Sequence, residues 1–433
     1  MASAVLVCTA LAGVAELSGS AQTNLVEELR DLRERMQALE HRLGVEPSVA
    51  PEAEHEHAHA GDTYLDISLD ALVNAGWSST PEVEAIQRGG HDPAQRGFSL
   101  RNAELALEGG VDPYWKGHAS VVLLMEPDEE TTVELEEAYA LTTGLPAGLQ
   151  VKAGRFFSEF GRQNAQHPHA WSFVDQPYVL NRMFGEDGMK QNGARLSWRA
   201  PTPHFMEAAI AVLNGQGESA FSFRFAGEAG EDGVERLYGR ATTGRELEGL
   251  DDFLYVPRAS TAFDLTDAQT LILGASAAFG PNSTGEDTRS VVYGLDALWK
   301  WTPADANGGW PFVSWQSEVL ARDFEAGEDV AAGLPAETLH DEGLYSQVTW
   351  GFVRCWTVGL RGEVVTGEDS ASAEIDAERP TDKRVSPAVT WYPSEFSKLR
   401  LQYSRAWLED ADDEDAVWAQ LEFLLGAHQE HED

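Results

Sequence analysis

The sequence predicts an all-β chain: an antiparallel transmembrane β-barrel of about 16 strands, preceded by a short N-terminal coiled-coil helix. Three observations predict it. From Asp62 onward the hydrophobic pattern has period two, with little helical periodicity. The alternating segments are each close to the roughly 9–11 residues that a tilted membrane strand needs. Their connections alternate between short turns and long acidic loops, which gathers the long loops at one end.

Composition agrees by exclusion. Of 433 residues, 31 are Lys or Arg and 72 are Asp or Glu, a formal net charge of −41. Phosphate backbones need a basic face, so nucleic acid is not a partner. With 2 Cys there is no disulfide framework, and no C-x-x-C pair for a thiolate metal site. Beyond the N-terminus no apolar run reaches the length of a membrane helix. A low mean hydropathy is compatible with a membrane barrel, because its strands alternate apolar and polar positions.

Residues 1–21 read as a secretory signal, with an apolar stretch Ala4–Ala15 and small residues Ser18 to Ala21. Residues 22–44 form the expected coiled coil: Leu25, Leu29, Leu32, Met36, Leu39 and Leu43 keep an a/d seam. So short a helix needs a partner, either another copy or its own domain. Residues 45–61 are a linker in which His55, His57 and His59 alternate with Glu54 and Glu56. Imidazoles and carboxylates in this pattern suit a zinc-like cation. The barrel is expected over 62–427, and an acidic tail over 428–433.

Strands are expected to begin near residues 63, 97, 114, 132, 148, 190, 204, 253, 268, 288, 310, 342, 356, 382, 396 and 415. In the last, Val417, Ala419, Leu421, Phe423 and Leu425 take one face, and Trp418, Gln420 and Glu422 the other. Short links include Asp112-Pro113, Thr266-Asp267 and Arg354-Cys355; long ones include 74–96, 158–189, 215–252, 322–341 and 368–381. A sandwich or propeller also alternates, but has no reason to segregate its long loops. Trp299, Trp301, Trp350, Trp391, Tyr392 and Trp407 lie near strand ends, as interfacial girdles do. Phe221–Phe225 is either an extra strand or part of a loop.

The order of signal, coiled coil, strands and the segment Gly154-Arg155-Phe156-Phe157-Ser158-Glu159-Phe160-Gly161 entering a long loop resembles bacterial outer-membrane porins, most closely the phosphate-selective porin O/P type. The resemblance implies an outer-membrane homotrimer in contact with lipid, its N-terminal region in the periplasm, passing small ions or solutes. It also implies that loop 158–189 folds inward and narrows the pore. Two features depart from the pattern. Phe423 is not terminal, and basic residues on plausible inward positions alternate with acidic ones, so a phosphate preference is not supported.

The loop would bring Glu159, Arg162, His167, His169, Asp175, Arg182, Glu186 and Asp187 to the constriction. Alternatively its charges pair and hold its fold. His167 and His169, with Asp175 as a third ligand, would also suit a metal. Lys116, Glu134, Glu136, Lys152, Arg195, Arg199, Asp296, Glu318, Arg361, Glu363, Lys398 and Arg400 are the expected pore-lining residues. No G-x-S-x-G elbow, H-E-x-x-H pair or P-loop occurs, so no catalytic residue is assigned and an enzyme is not expected. No cofactor is called for beyond a possible divalent cation. The alternative function is a metal-uptake channel using the His-rich segments, and behind it a barrel hydrolase.

Overall fold

A computed structural model describes residues 64–110, 112–127, 130–230 and 233–426. The expected signal, coiled coil, linker histidines His55, His57 and His59, and acidic tail lie outside the described residues.

The strands in chain order are β1 (Tyr64–Ser78), β2 (Gly97–Gly110), β3 (Trp115–Met125), β4 (Thr131–Thr142) and β5 (Leu149–Phe157). Next come β6 (Lys190–Arg199), β7 (Met206–Leu213), β8 (Glu228–Ala229), β9 (Glu235–Leu237) and β10 (Arg240–Ala241). Then follow β11 (Leu254–Thr266), β12 (Gln269–Pro281), β13 (Arg289–Trp301), β14 (Phe312–Ala326) and β15 (Glu337–Val353). The last are β16 (Trp356–Gly367), β17 (Asp382–Ser394), β18 (Ser397–Trp407) and β19 (Glu414–Gly426). Two short helices, α1 (Tyr178–Phe184) and α2 (Ala373–Ala377), lie in long connections.

β1–β7 and β11–β19 form one closed barrel of sixteen strands, each antiparallel to its neighbours. Closure joins β1 to β19, with Ala71 opposite Phe423 and Trp77 opposite Val417. The minor strands β8, β9 and β10 make a separate three-stranded sheet in the connection between β7 and β11. Phe221–Phe225 belongs to that connection and is not a barrel strand.

The barrel is polar inside and apolar outside. Leu105, Leu135, Leu196, Ile210, Leu295, Val319, Leu360, Leu401 and Leu421 are exposed, while Asn102, Glu136, Ser197, Arg322, Arg384, Gln402 and Gln420 are buried. Along β19 the expected faces hold: Val417 and Leu421 are exposed, and Trp418 and Gln420 are buried. A closed sheet satisfies all its backbone groups internally, and an apolar exterior suits hydrocarbon.

The barrel strands run from 8 residues in β7 to 17 in β15. The upper limit exceeds expectation because pairing continues past the apolar band, as in Ala326 opposite Glu337. Thus β15 begins at Glu337 rather than near 342, and the connection before it shortens to 327–336. Polar residues can extend a ladder there because that end faces water.

The long connections fold onto the wall through apolar contacts. Phe160, Val179, Leu180, Met183 and Phe184 of segment 158–189 share a core with Leu213, Leu254, Val292, Leu320 and Tyr345 of the strands. A second cluster joins Val83, Ile86 and Val174 to Ala416 and Trp418, and a third joins Leu237 and Tyr238 to Phe324, Leu339 and Ile375.

Candidate functional site

The Gly154-to-Gly161 motif shapes the entry to segment 158–189. Gly154 has φ +140 and Gly161 φ +63, backbone that side-chain-bearing residues rarely adopt. A Cβ on Gly154 would run into the Ala138 carbonyl oxygen, and one on Gly161 into the Glu318 carboxylate. The chain can therefore turn hard off β5 and lie directly on the wall. Ser158 N–H donates to the Met189 carbonyl at 2.8 Å, which closes the base of the segment.

From there the segment is fastened to polar side chains of the wall. Arg162 and Gln163 donate backbone N–H groups to Glu318 Oε1 at 3.1 and 2.8 Å. Tyr345 donates its hydroxyl to the same oxygen at 2.6 Å. Asp175 receives both Arg361 and Arg384, the latter at 3.1 Å. Glu363 in turn holds Arg361 at 3.1 Å and Arg384 at 2.7 Å, and accepts the Tyr178 N–H that opens α1 at 2.7 Å. Arg400 donates to the Phe173 and Trp171 carbonyls at 3.0 and 2.6 Å. Lys398 meets the His169 carbonyl and pairs with Glu422 at 2.6 Å. Arg182 pairs with Asp341 at 3.1 Å, a carboxylate shared with Arg322 and Arg379.

These contacts engage several of the residues expected at the pore, in the manner of the alternative in which the charges of the loop pair and hold its fold. Asp175, His167 and Arg182 are buried, as are Glu318, Arg361, Glu363, Lys398 and Arg400. They bind segment to wall and have little surface left for a solute. Burial pushes the Asp175 carboxyl up, but Arg384 and Arg361 outweigh that and hold it below its ordinary range. Nor is Asp175 a metal ligand beside His167 and His169, because its oxygens are engaged by Arg361, Arg384 and Gln402.

A less buried row of charge remains. Glu159 stands between Lys152 at 3.2 Å and Arg195 at 2.5 Å, and Arg195 reaches on to Glu207 at 2.7 Å. Glu159 and Glu207 keep 29 % and 28 % of their side-chain surface open. Nearby, Lys116 lies 3.8 Å from Glu108, with half its side chain exposed. Arg199 is exposed and lies over the Phe205 ring, 5.2 Å from its centre. Glu134 contacts Arg155 and Lys190, and Asp296 holds Arg258 at 2.7 Å. Arg162 is half-buried, Glu186 is exposed, and Asp187 lies 3.9 Å from Lys190.

His167 goes elsewhere, into a pocket of Glu104, Glu136 and Glu137. Burial pulls its imidazole pKa down, but Glu104 and Glu136 outweigh that and hold it well above the ordinary value. Glu137 escapes the period-two reading because of a bulge. Ser120 pairs with Glu137 and Val121 with Leu135, so Glu136 is the extra residue and Glu136 and Glu137 are both buried. Glu104 and Arg384, by contrast, sit at ordinary polar-face positions, where strand parity is signal enough to find them.

No family model matches the chain. Over 374 residues it is 33 % identical to an uncharacterized protein of Aquifex aeolicus (strain VF5), covering 81 % of this chain and 74 % of that one. The chain belongs to that protein's family. Its fold is similar to that of the outer membrane channel DcaP of Acinetobacter baumannii, with TM-score 0.53, 10 % identity, and 84 % and 97 % of the two chains covered. The anion-selective porin from Comamonas acidovorans gives TM-score 0.52 and 9 % identity, covering 84 % of this chain and 100 % of that one. The trimer form of OmpT, an outer membrane protein of Vibrio cholerae, gives 0.51 and 7 %, covering 84 % and 99 %. At such identities the likeness is one of fold: a porin-type barrel.

Proposed function

We propose that this chain is an outer-membrane channel for passive diffusion of ions or small hydrophilic solutes. The single observation that carries the reading is the inside-out barrel: sixteen strands, polar within and apolar without. Barrels of about this size leave an aqueous lumen, whereas roughly eight strands leave an interior that side chains fill. The OmpT trimer form and the oligomerising a/d seam of residues 22–44 support a homotrimer with its N-terminal region in the periplasm.

Segment 158–189 acts as an inward fold that narrows this lumen, held by its ion pairs on β16 and β17. The solute then passes the row Lys152, Glu159, Arg195 and Glu207, with Lys116 and Arg199 on the same open part of the wall. Two cations and two carboxylates in that row give a transverse field with no net charge. Water is thinned at a constriction, so these few groups set ion preference. Their balance supports neither phosphate preference nor the anion selectivity of the Comamonas porin.

The test is single-channel conductance of the purified, folded protein in planar bilayers. Stepwise ion current is expected; a folded oligomer that carries none in any salt would remove the channel reading.

A further inference from the structure

We propose that Glu104, Glu136 and His167 hold a divalent transition-metal cation of the zinc type, which staples segment 158–189 to β2 and β4. One ligand atom from each lies within 4.8 Å of the others, and all three residues are buried. His167 Nδ1 stands 3.2 Å from Glu104 Oε1 and 3.1 Å from Glu136 Oε2. Nitrogen and oxygen ligands about 2.0–2.2 Å from a shared ion are separated by roughly this much.

The surrounding contacts orient the donors. His167 Nε2 meets Glu137 Oε2 at 3.0 Å, and Glu137 is itself fixed by the Phe157 N–H at 2.8 Å. With a metal bound in place of the Nδ1 proton, a carboxylate accepting Nε2–H keeps Nδ1 aimed at Glu104 and Glu136, the usual outer-shell arrangement of a metal-bound histidine. His91 repeats the logic on the other side. Its Nδ1 lies 3.2 Å from the Arg101 carbonyl, which only an N–H can satisfy. Its Nε2 faces Glu136 Oε1 at 3.3 Å, a second imidazole on the same carboxylate. Glu136 is 0 % exposed and His91 is 6 % exposed, so the carboxylate is closed off from solvent between two imidazoles.

Charge points the same way. Among the described residues, the ion-pair partners of Glu104, Glu136 and Glu137 are all imidazoles. Three buried carboxylates need positive charge beside them: a protonated His167 supplies one unit, and a bound dication supplies two while releasing that proton. A cavity of about 230 Å³ borders the cluster at Glu104 and is also lined by Asp70, His169, Lys398, Glu422 and Glu395.

The experiment is calorimetric titration of ZnCl₂ into the full-length, chelator-stripped protein in detergent. His55, His57 and His59 are replaced by Ala so that the linker contributes nothing. One saturable site per barrel is expected, abolished in Glu136→Gln and weakened roughly 10–100-fold in Glu137→Gln. No saturable heat in the folded parent, or unchanged affinity in Glu136→Gln, overturns the proposal. Circular dichroism checks the fold of each variant. If Glu136→Gln does not fold, Glu104→Gln takes its place, and the parent titration alone still decides.

Discussion

Asp175 and Arg384 lie 209 positions apart in the chain, yet their side chains meet at 3.1 Å with neither exposed to solvent. One comes from a long connection and the other from β17, so the pair measures whether the segment is docked on the wall. Arg361 joins from β16, and Glu363 holds both guanidinium groups from the far side.

Asp175→Asn removes the charge that answers two buried arginines. Breaking a buried pair from one side costs about 3–5 kcal/mol, because a charge is left behind without its partner. Segment 158–189 is expected to undock while the barrel stays closed. Single-channel conductance rises, and limited proteolysis cuts within the segment but not within the strands. The double variant Asp175→Asn/Arg361→Gln restores part of the balance and docks better than the single one.

Acid is expected to have the same effect. Burial raises the Asp175 carboxyl, Arg384 and Arg361 outweigh it, and its folded-state pKa lies below the ordinary 3.8. A depressed pKa gives stability that is complete above the unfolded value and is lost as pH falls through the folded one. Docking therefore holds at neutral pH and weakens on acidification below about pH 4. Protease accessibility of the segment against pH displays this step. It is missing from the Asp175→Asn profile, and its persistence there would assign it to another group.

Ion preference should follow the row of four charges. Glu159→Gln with Glu207→Gln leaves Lys152 and Arg195 uncompensated and shifts permeation toward anions. Lys152→Gln with Arg195→Gln shifts it toward cations. Reversal potentials across a KCl gradient read both, with opposite signs expected. Equal reversal potentials in the two double variants would show that solute passes elsewhere.

Gly161→Ala places a methyl group against the Glu318 carboxylate, in a backbone conformation that disfavours any side chain. The expected cost is about 1–3 kcal/mol, felt in docking of the segment. Thermal unfolding of the barrel changes little, and protease sensitivity of residues 158–189 increases. Gly233→Ala is the control: its φ of +74 is equally positive, but nothing lies within 4 Å.

Much of the fold is legible in the order of residues alone. Fifteen of the sixteen barrel strands begin within two residues of the positions expected from alternation, and β15 alone starts five earlier, at Glu337. Alternation is legible because a barrel wall with an apolar outer face and a polar inner one imposes opposite chemistry on successive residues. The same parity places Glu318, Arg361, Glu363 and Arg400 on the polar face.

Parity assigns a residue to a face but says nothing of what stands opposite it. That Asp175 would choose Arg361 and Arg384 over a metal was decided by where segment 158–189 comes to rest. That Glu136 and Glu137 would both turn inward was decided by one bulge against β3, which breaks the rule used to read the strand. The His91, Glu104, Glu136 and His167 cluster draws on two connections and two strands, brought together only by barrel closure and loop docking. The sequence by itself determined the barrel and its two faces, because each residue's solvent is a local constraint. Only the tertiary structure decided which charges answer one another, because those pairings depend on contacts between segments far apart in the chain.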